Sequence, residues 1–181
     1  MTPKANLCIK NIGQLATPVG SSARKGKEAM GALKVIEGAA VIVENGIITF
    51  VGKESELPSA LPQGCKVLDA GGNALLPGFV DSHTHLVFGG YREDEFQWRL
   101  AGDSYMSIME RGGGIAKTMQ LTRSTSEDSL TESALAHLKA MLSMGVTTVE
   151  AKSGYGMQTE TELKQLRVTR RLQEIQPVAL F

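Results

Sequence analysis

His83 and His85 stand two positions apart at the end of an apolar run in "PGFVDSHTHLVFGG", Pro77 to Gly90, and are two of the chain's three histidines. Along a β-strand, residues i and i+2 share a face roughly 6.6 Å apart at the backbone, while the residue between them points away. Two imidazoles so spaced can converge on one cation, and their neutral nitrogens suit Zn²⁺ or Fe²⁺. A pattern three residues long also arises by chance on strands that bind nothing, so on its own it leaves a metal site and a decorated strand both open. A few positions on, Arg92 in "YREDEF" offers a rigid guanidinium fork suited to a carboxylate. Its plain alternative is a solvated charge cluster on a loop. The third histidine, His137, falls beside the apolar stripe of a helix and is expected to be structural.

These side chains need elements to position them. The first seventy or so residues read as β structure: "NLCIKNI", "AAVIVENGIITFVGK" and "CKVLDAGG". Asn45-Gly46 between two β-branched runs predicts a two-residue type I′ hairpin. The segment "TPVGSSARKGKEAMGALK" lacks periodicity and reads as a surface loop. From Ala74 the character changes. "ALLPGFVDSHTH" reads as one strand buried on both faces with its polar end at the C-terminus, followed by a loop of roughly forty residues. Ser124 and Glu127 have the spacing of a capping box. Leu130, Ala134, Leu138, Met141 and Leu142 form an apolar helical stripe, and Gly145 stops that helix. "VTTVEAKSGYG" predicts a second strand. Thr159 and Glu162 have the spacing of another capping box for a helix to about Ile175, and "PVALF", ending at Phe181, begins a third strand.

The order β, α, β, α, β implies parallel strands with crossover helices. The expected fold class is α/β, with a β-rich portion over residues 1–73 and the opening units of a (β/α) barrel or doubly wound sheet over 74–181. Two and a half units cannot cover their own sheet, so the chain reads as the N-terminal piece of a longer protein that continues beyond Phe181. Placed at the C-terminal end of a barrel strand, the two histidines would sit where such barrels keep their chemistry.

Composition excludes several classes. With 19 basic and 19 acidic residues the 181-residue chain has no net charge, hence no footprint for nucleic acid and no polybasic membrane patch. No apolar run approaches a membrane span, and the start lacks a signal-peptide core, so a cytoplasmic location is expected. Cys8 and Cys65 have no paired spacing and are expected to be reduced. "RGGGIAKT" is not a phosphate loop, because Ala116 precedes Lys117 and Arg111 occupies the first glycine position.

"GFVDSHTHLVFGGYREDEF", "SYMSIMERGGGI", "TRSTSEDSL" and "GVTTVEAKSGYG" followed by "TELKQLR" together resemble the imidazolonepropionase family of the amidohydrolase superfamily, from Pro77 almost to Pro177. The resemblance implies a metal-dependent (β/α)8 barrel preceded by the N-terminal part of a small β-sandwich, the C-terminal part of the barrel being absent here. It implies one zinc or iron ion with His83 and His85 as ligands. The remaining histidine and aspartate ligands and the general acid/base groups are expected from later strands, beyond Phe181. It further implies hydrolytic opening of 4-imidazolone-5-propanoate to N-formimidoyl-L-glutamate, with Arg92, Tyr155 and Tyr105 holding the substrate. Lys152 is left out of the metal site, because the bridging lysine of two-metal relatives belongs to another strand. A homodimer is compatible with the resemblance. The alternatives are another amidohydrolase acting on a cyclic amide, a deaminase of the same superfamily, or a non-catalytic module with an incidental histidine pair.

Overall fold

The computed structural model describes residues 6–20 and 22–181. The extreme N-terminus, and Ser21 of the expected surface loop, lie outside them. The chain divides into two compact units between Pro77 and Gly78.

The first unit is a sheet of β1 (Leu7–Pro18), β2 (Leu33–Glu44), β3 (Ile47–Lys53), β4 (Lys66–Asp69) and β5 (Ala74–Leu75). Its order is β3-β2-β1-β4, with β5 also pairing β1. Asn45 and Gly46 have φ 52° and 78°, the left-handed pair that a type I′ turn demands, and β2 and β3 pair antiparallel across them. The expected surface loop is structured at its two ends and in one helical turn. The β1–β2 ladder continues to Pro18 opposite Leu33, and a single helical turn, α1 (Lys27–Met30), bridges the strands.

The second unit contains β6 (Phe79–Thr84), α2 (Asp94–Leu100), α3 (Tyr105–Glu110), α4 (Gly114–Ser124), α5 (Glu127–Ser143), β7 (Val146–Ala151), α6 (Thr159–Ile175) and β8 (Ala179–Leu180). The strands form a parallel sheet in the order β6-β7-β8. Leu130, Ala134 and Leu138 recur every four residues on one face of α5. They pack with Val168 and Leu172 of α6 against Val149, Ala151 and Leu180 of the strands. Burial of such a stripe is what keeps an amphipathic helix on a sheet.

Four further expectations need correction. "ALLPGFVDSHTH" is two strands, not one: β5 joins the first sheet, and Pro77-Gly78 separates it from β6. Nor is β6 buried on both faces. It is the edge of its sheet, and Val80 is 66% exposed. The roughly forty-residue loop holds α2, α3 and α4, which are short or weakly patterned and depend on contacts remote in sequence. The capping boxes shift. Ser126 caps α5 by accepting from Ser129 N, since Ser124 still belongs to α4. Glu162 turns outward from α6 to the preceding loop, accepting from Gly156 N and Met157 N. The third strand does begin within "PVALF", as expected. It is confined to Ala179–Leu180, and Phe181 falls outside it. The backbone of Phe181 still bonds to β7, its N–H donating to Val149 O at 3.0 Å and its carbonyl accepting from Ala151 N at 2.8 Å. Its side chain is exposed.

Lys164 ties α6 to α4. Its ammonium donates to the carbonyls of Thr122, Arg123 and Thr125 at 2.9, 3.0 and 2.8 Å, at the helix end where carbonyls lack partners and a cation is favoured. Lys164→Met should leave these acceptors unmet and cost about 1–3 kcal/mol, measured as a lower urea midpoint at unchanged slope.

Candidate active site at the ends of two parallel strands

Parallel pairing sets the C-terminal ends of β6 and β7 side by side. Thr84 Oγ1 donates to Glu150 O at 2.7 Å, and Lys152 N donates to Thr84 O at 3.0 Å. His83 is the penultimate residue of β6 and His85 follows its last. Their rings are 6.1 Å apart at the centroids and nearly perpendicular, at 88°. That separation is within reach of one ion lying about 2.0–2.1 Å from a nitrogen of each ring.

His85 meets a physical test for a bound group. Its Nδ1 is buried and has no hydrogen-bond partner among the described residues, a cost of about 1–3 kcal/mol unless something else meets it. A metal ligand or its supporting contact fits that atom; a decorative surface histidine does not. No cluster of three or more His, Cys, Asp or Glu side chains with metal-binding geometry occurs among the described residues. A catalytic zinc site takes about three protein ligands, so these two histidines fit as part of a set.

The loop leaving β7 closes on His85. A Cβ added at Gly154 would lie 2.5 Å from both Cε1 and Nδ1 of the imidazole, so the absence of a side chain there is what lets the ring sit in place. Next in sequence, Tyr155 has φ 65°, a left-handed conformation that costs a non-glycine residue about 1–3 kcal/mol. It sets the phenol edge-on to His85, with centroids 4.9 Å apart. Arg123 Nε donates to Gly156 O at 2.7 Å on the far side of the tyrosine.

His85, Tyr155 and Arg92 line one cleft of about 300 Å³, with Phe88, Gly90, Tyr91 and Thr118. Phe88 and Thr118 carried no sequence signal for this, since only the fold brings the start of the post-β6 segment and α4 together. Tyr105 does not line the cleft. It is the first residue of α3 and 56% exposed. Phe181 does not line it either. A wider groove of about 830 Å³ lies along the β2–β3 hairpin of the first unit, but no histidine, cysteine or tyrosine lines it.

The segment carrying Arg92 is fastened at several points. Tyr91 Oη and His137 Nε2 are 2.5 Å apart, and Phe88 stacks on the same imidazole at 5.5 Å and 12°. His137 is thus structural, as expected, and its role is to hold this segment against α5. Glu95 is buried and accepts from Gly114 N at 2.6 Å, while Arg92 Nε lies 3.9 Å from the same carboxylate oxygen. Neighbouring Asp94 is held below the usual carboxylate range, chiefly by its 2.7 Å hydrogen bond from Lys117. Lys152 faces Glu150 at 3.7 Å and takes no part in the cleft.

The fold of the chain is similar to that of solved amidohydrolase-type proteins. The model of the amidohydrolase family matches residues 66–151. Guanine deaminase of E. coli superposes with a TM-score of 0.64 at 16% identity, over 97% of this chain and 35% of its own. A triazine hydrolase from Arthobacter aurescens gives 0.55 at 17% identity, over 97% of this chain and 34% of its own. At such identities the likeness concerns fold alone. These matches give the chain the fold of those proteins, and the amidohydrolase family model covers its residues 66–151. In sequence the chain is similar to imidazolonepropionases over the region it spans. It is 67% identical to the imidazolonepropionase of Porphyromonas gingivalis strain W83 over 177 residues, which is 97% of this chain and 42% of that protein. Against the enzyme of Clostridium tetani it is 52% identical over 172 residues, 94% of this chain and 41% of that protein. The chain therefore spans about two fifths of the length of these curated relatives.

Gly154→Ala tests the close approach. The added methyl would overlap the imidazole, so His85 should be displaced and metal retained on dialysis should fall in the full-length protein. Far-UV circular dichroism should be unchanged, because Gly154 has no positive φ to strain.

Proposed function

We propose that this chain forms the N-terminal part of an imidazolonepropionase, a hydrolase that opens the ring amide of 4-imidazolone-5-propanoate with water to give N-formimidoyl-L-glutamate. The observation that supports this most is the shared cleft. A histidine with an orphaned buried nitrogen, a tyrosine and an arginine from two separate loops line one space of about 300 Å³. The substrate asks for that combination: a ring presented to a metal site and an acidic tail presented to a cation.

His83 and His85 would hold a single zinc or iron ion together with residues beyond Phe181, which would also supply the general acid/base. When bound, the metal supplies Lewis-acid activation of the water and of the ring carbonyl. Arg92 binds the propanoate through its guanidinium and thereby fixes the distance from carboxylate to ring. Tyr155 borders the ring beside His85, and its left-handed backbone aims the phenol into the cleft. Phe88 supplies an apolar wall that excludes water from one side. Tyr105 is the weakest member of the set, since it is exposed at the start of α3 and does not line the cleft. The same reading carries a small-molecule partner rather than nucleic acid, a cytoplasmic setting and a homodimer. For the described residues, no helix is long and apolar enough to cross a membrane.

In the full-length protein, His83→Ala and His85→Ala should each lower metal occupancy and kcat together, because each removes one of few bonds to the ion. Full stoichiometric metal in both variants would refute their assignment as ligands. Arg92 is tested by substrate choice, since contacts remote from the breaking bond act mainly as uniform binding. Arg92→Ala should cost about 2 kcal/mol in kcat/KM, mostly through KM. That is the low end for a paired charge, because the side chain remains 39% exposed in the free cleft. Wild type should prefer the acid over an analogue whose carboxylate is replaced by a neutral amide, and Arg92→Ala should lose that preference. A preference that survives puts the carboxylate elsewhere. Turnover of the amide alone, or of an aminated purine, would favour a different amidohydrolase or a deaminase.

A further inference from the structure

Gln165 is a buried polar side chain to which neither the resemblance nor the proposed reaction gives a role. It sits in the second turn of α6 and is 1% exposed. Its amide makes three hydrogen bonds, none of them to its own helix. Nε2 donates to Val87 O at 2.6 Å and to Gly154 O at 2.7 Å, and Oε1 accepts from Gly154 N at 3.2 Å. Val87 lies two residues after His85, and Gly154 lies immediately before Tyr155. One side chain therefore bolts together the two strand exits that carry the candidate metal ligand and the candidate substrate tyrosine.

The neighbouring turn of α6 completes the clamp. Glu162 accepts from Gly156 N and Met157 N at 2.8 and 2.9 Å. Together Gln165 and Glu162 hold the backbone on both sides of Tyr155, the residue with φ 65°. A left-handed tyrosine persists only where its surroundings over-determine it, and these bonds provide the determination. The amide group is the one side chain that can do both halves of the joint. It donates twice to carbonyls and accepts from an N–H within one planar unit. A carboxylate would set negative charge against two carbonyl oxygens, and an apolar side chain would leave the buried Val87 carbonyl and the half-buried N–H and carbonyl of Gly154 unmet.

We infer that Gln165 is a positioning residue, which fixes the Tyr155 ring against the His85 imidazole by joining the backbone at Val87 to that at Gly154. The inference rests on the proposed function for its catalytic consequence but not for its structural one. Gln165→Met keeps length and volume while removing all three bonds; Gln165→Asn, one methylene short, replaces it if the methionine variant does not fold. Leu172→Ala, a fully buried truncation in the same helix, serves as the control for general destabilisation.

The measurement is made on full-length protein labelled with 3-fluorotyrosine, the Tyr155 resonance being assigned by its loss in Tyr155→Phe. In Gln165→Met that resonance should move toward the free-solvent position, retained metal should fall, and kcat/KM on the imidazolone acid should drop roughly 10- to 100-fold, the range for residues that orient ligands. Leu172→Ala should lower the melting temperature without moving the resonance. An unmoved Tyr155 signal in Gln165→Met, or an equal shift in Leu172→Ala, overturns the inference. If wild type does not turn over the imidazolone acid, the proposed reaction fails, and the fluorine and metal measurements still decide the role of Gln165.

Discussion

Parallel pairing of β6 with β7 is the constraint on which the site depends. It forces both C-terminal strand ends to one edge of the sheet, and the Thr84 bonds to Glu150 and from Lys152 fix how far each strand projects. The crossover that parallel strands require places α5 and α6 behind the sheet. Their apolar faces then close the core on Val149 and Leu180. Just beyond the strand end, Leu86 and Val87 still join that core, which fixes where His85 comes out at the edge of the sheet.

The geometry there is set at the scale of single atoms. His85 lies against a glycine with no room for a methyl group, and Tyr155 takes a backbone conformation few tyrosines adopt. Both are costs that a solvent-exposed loop has no reason to bear. They are offset by a lattice of polar contacts: Arg123 to Gly156, Glu162 to Gly156 and Met157, and Gln165 to Gly154 and Val87. The site is thus held by helices lying behind it, through side chains that never face the cleft.

Features with a local cause were legible in the sequence. Asn45-Gly46 demanded its turn because few other pairs tolerate two positive φ angles, and Leu130, Ala134 and Leu138 announced α5 by spacing alone. Features with a distant cause were not. The helices after β6 are held by Glu95 reaching Gly114 and by Tyr91 reaching His137, bonds that span many residues and leave no periodic trace. The start of α5 was misplaced because α4 ends in the same "STS" cluster that caps the next helix, and either serine has the right chemistry. Of the candidate site, strand alternation put His83 and His85 on one face, whereas their reading as metal ligands, and that of Arg92 and Tyr155 as substrate contacts, came from family likeness. That Arg92 and Tyr155 share a cleft with His85 is a property of the fold. Gln165 was invisible, since a glutamine in a helix gives no sign that it is buried.

The β6–β7 pairing joins residues 66 positions apart in the chain, and the segment that closes this circuit includes α2, α3 and α4. The entropy of closing a loop grows only with the logarithm of its length, so doubling it costs roughly 0.6 kcal/mol. The length of the chain between its anchors can therefore change at small entropic cost, provided that Tyr91 keeps its bond to His137, Glu95 its bond to Gly114 and Gly89 its close approach to Leu121. The Gly154 loop has no such latitude. Both walls of the cleft are pinned by the width of a methyl group, at Gly154 on one side and at Gly89 and Gly90 on the other, and only the chain between such points is free in length.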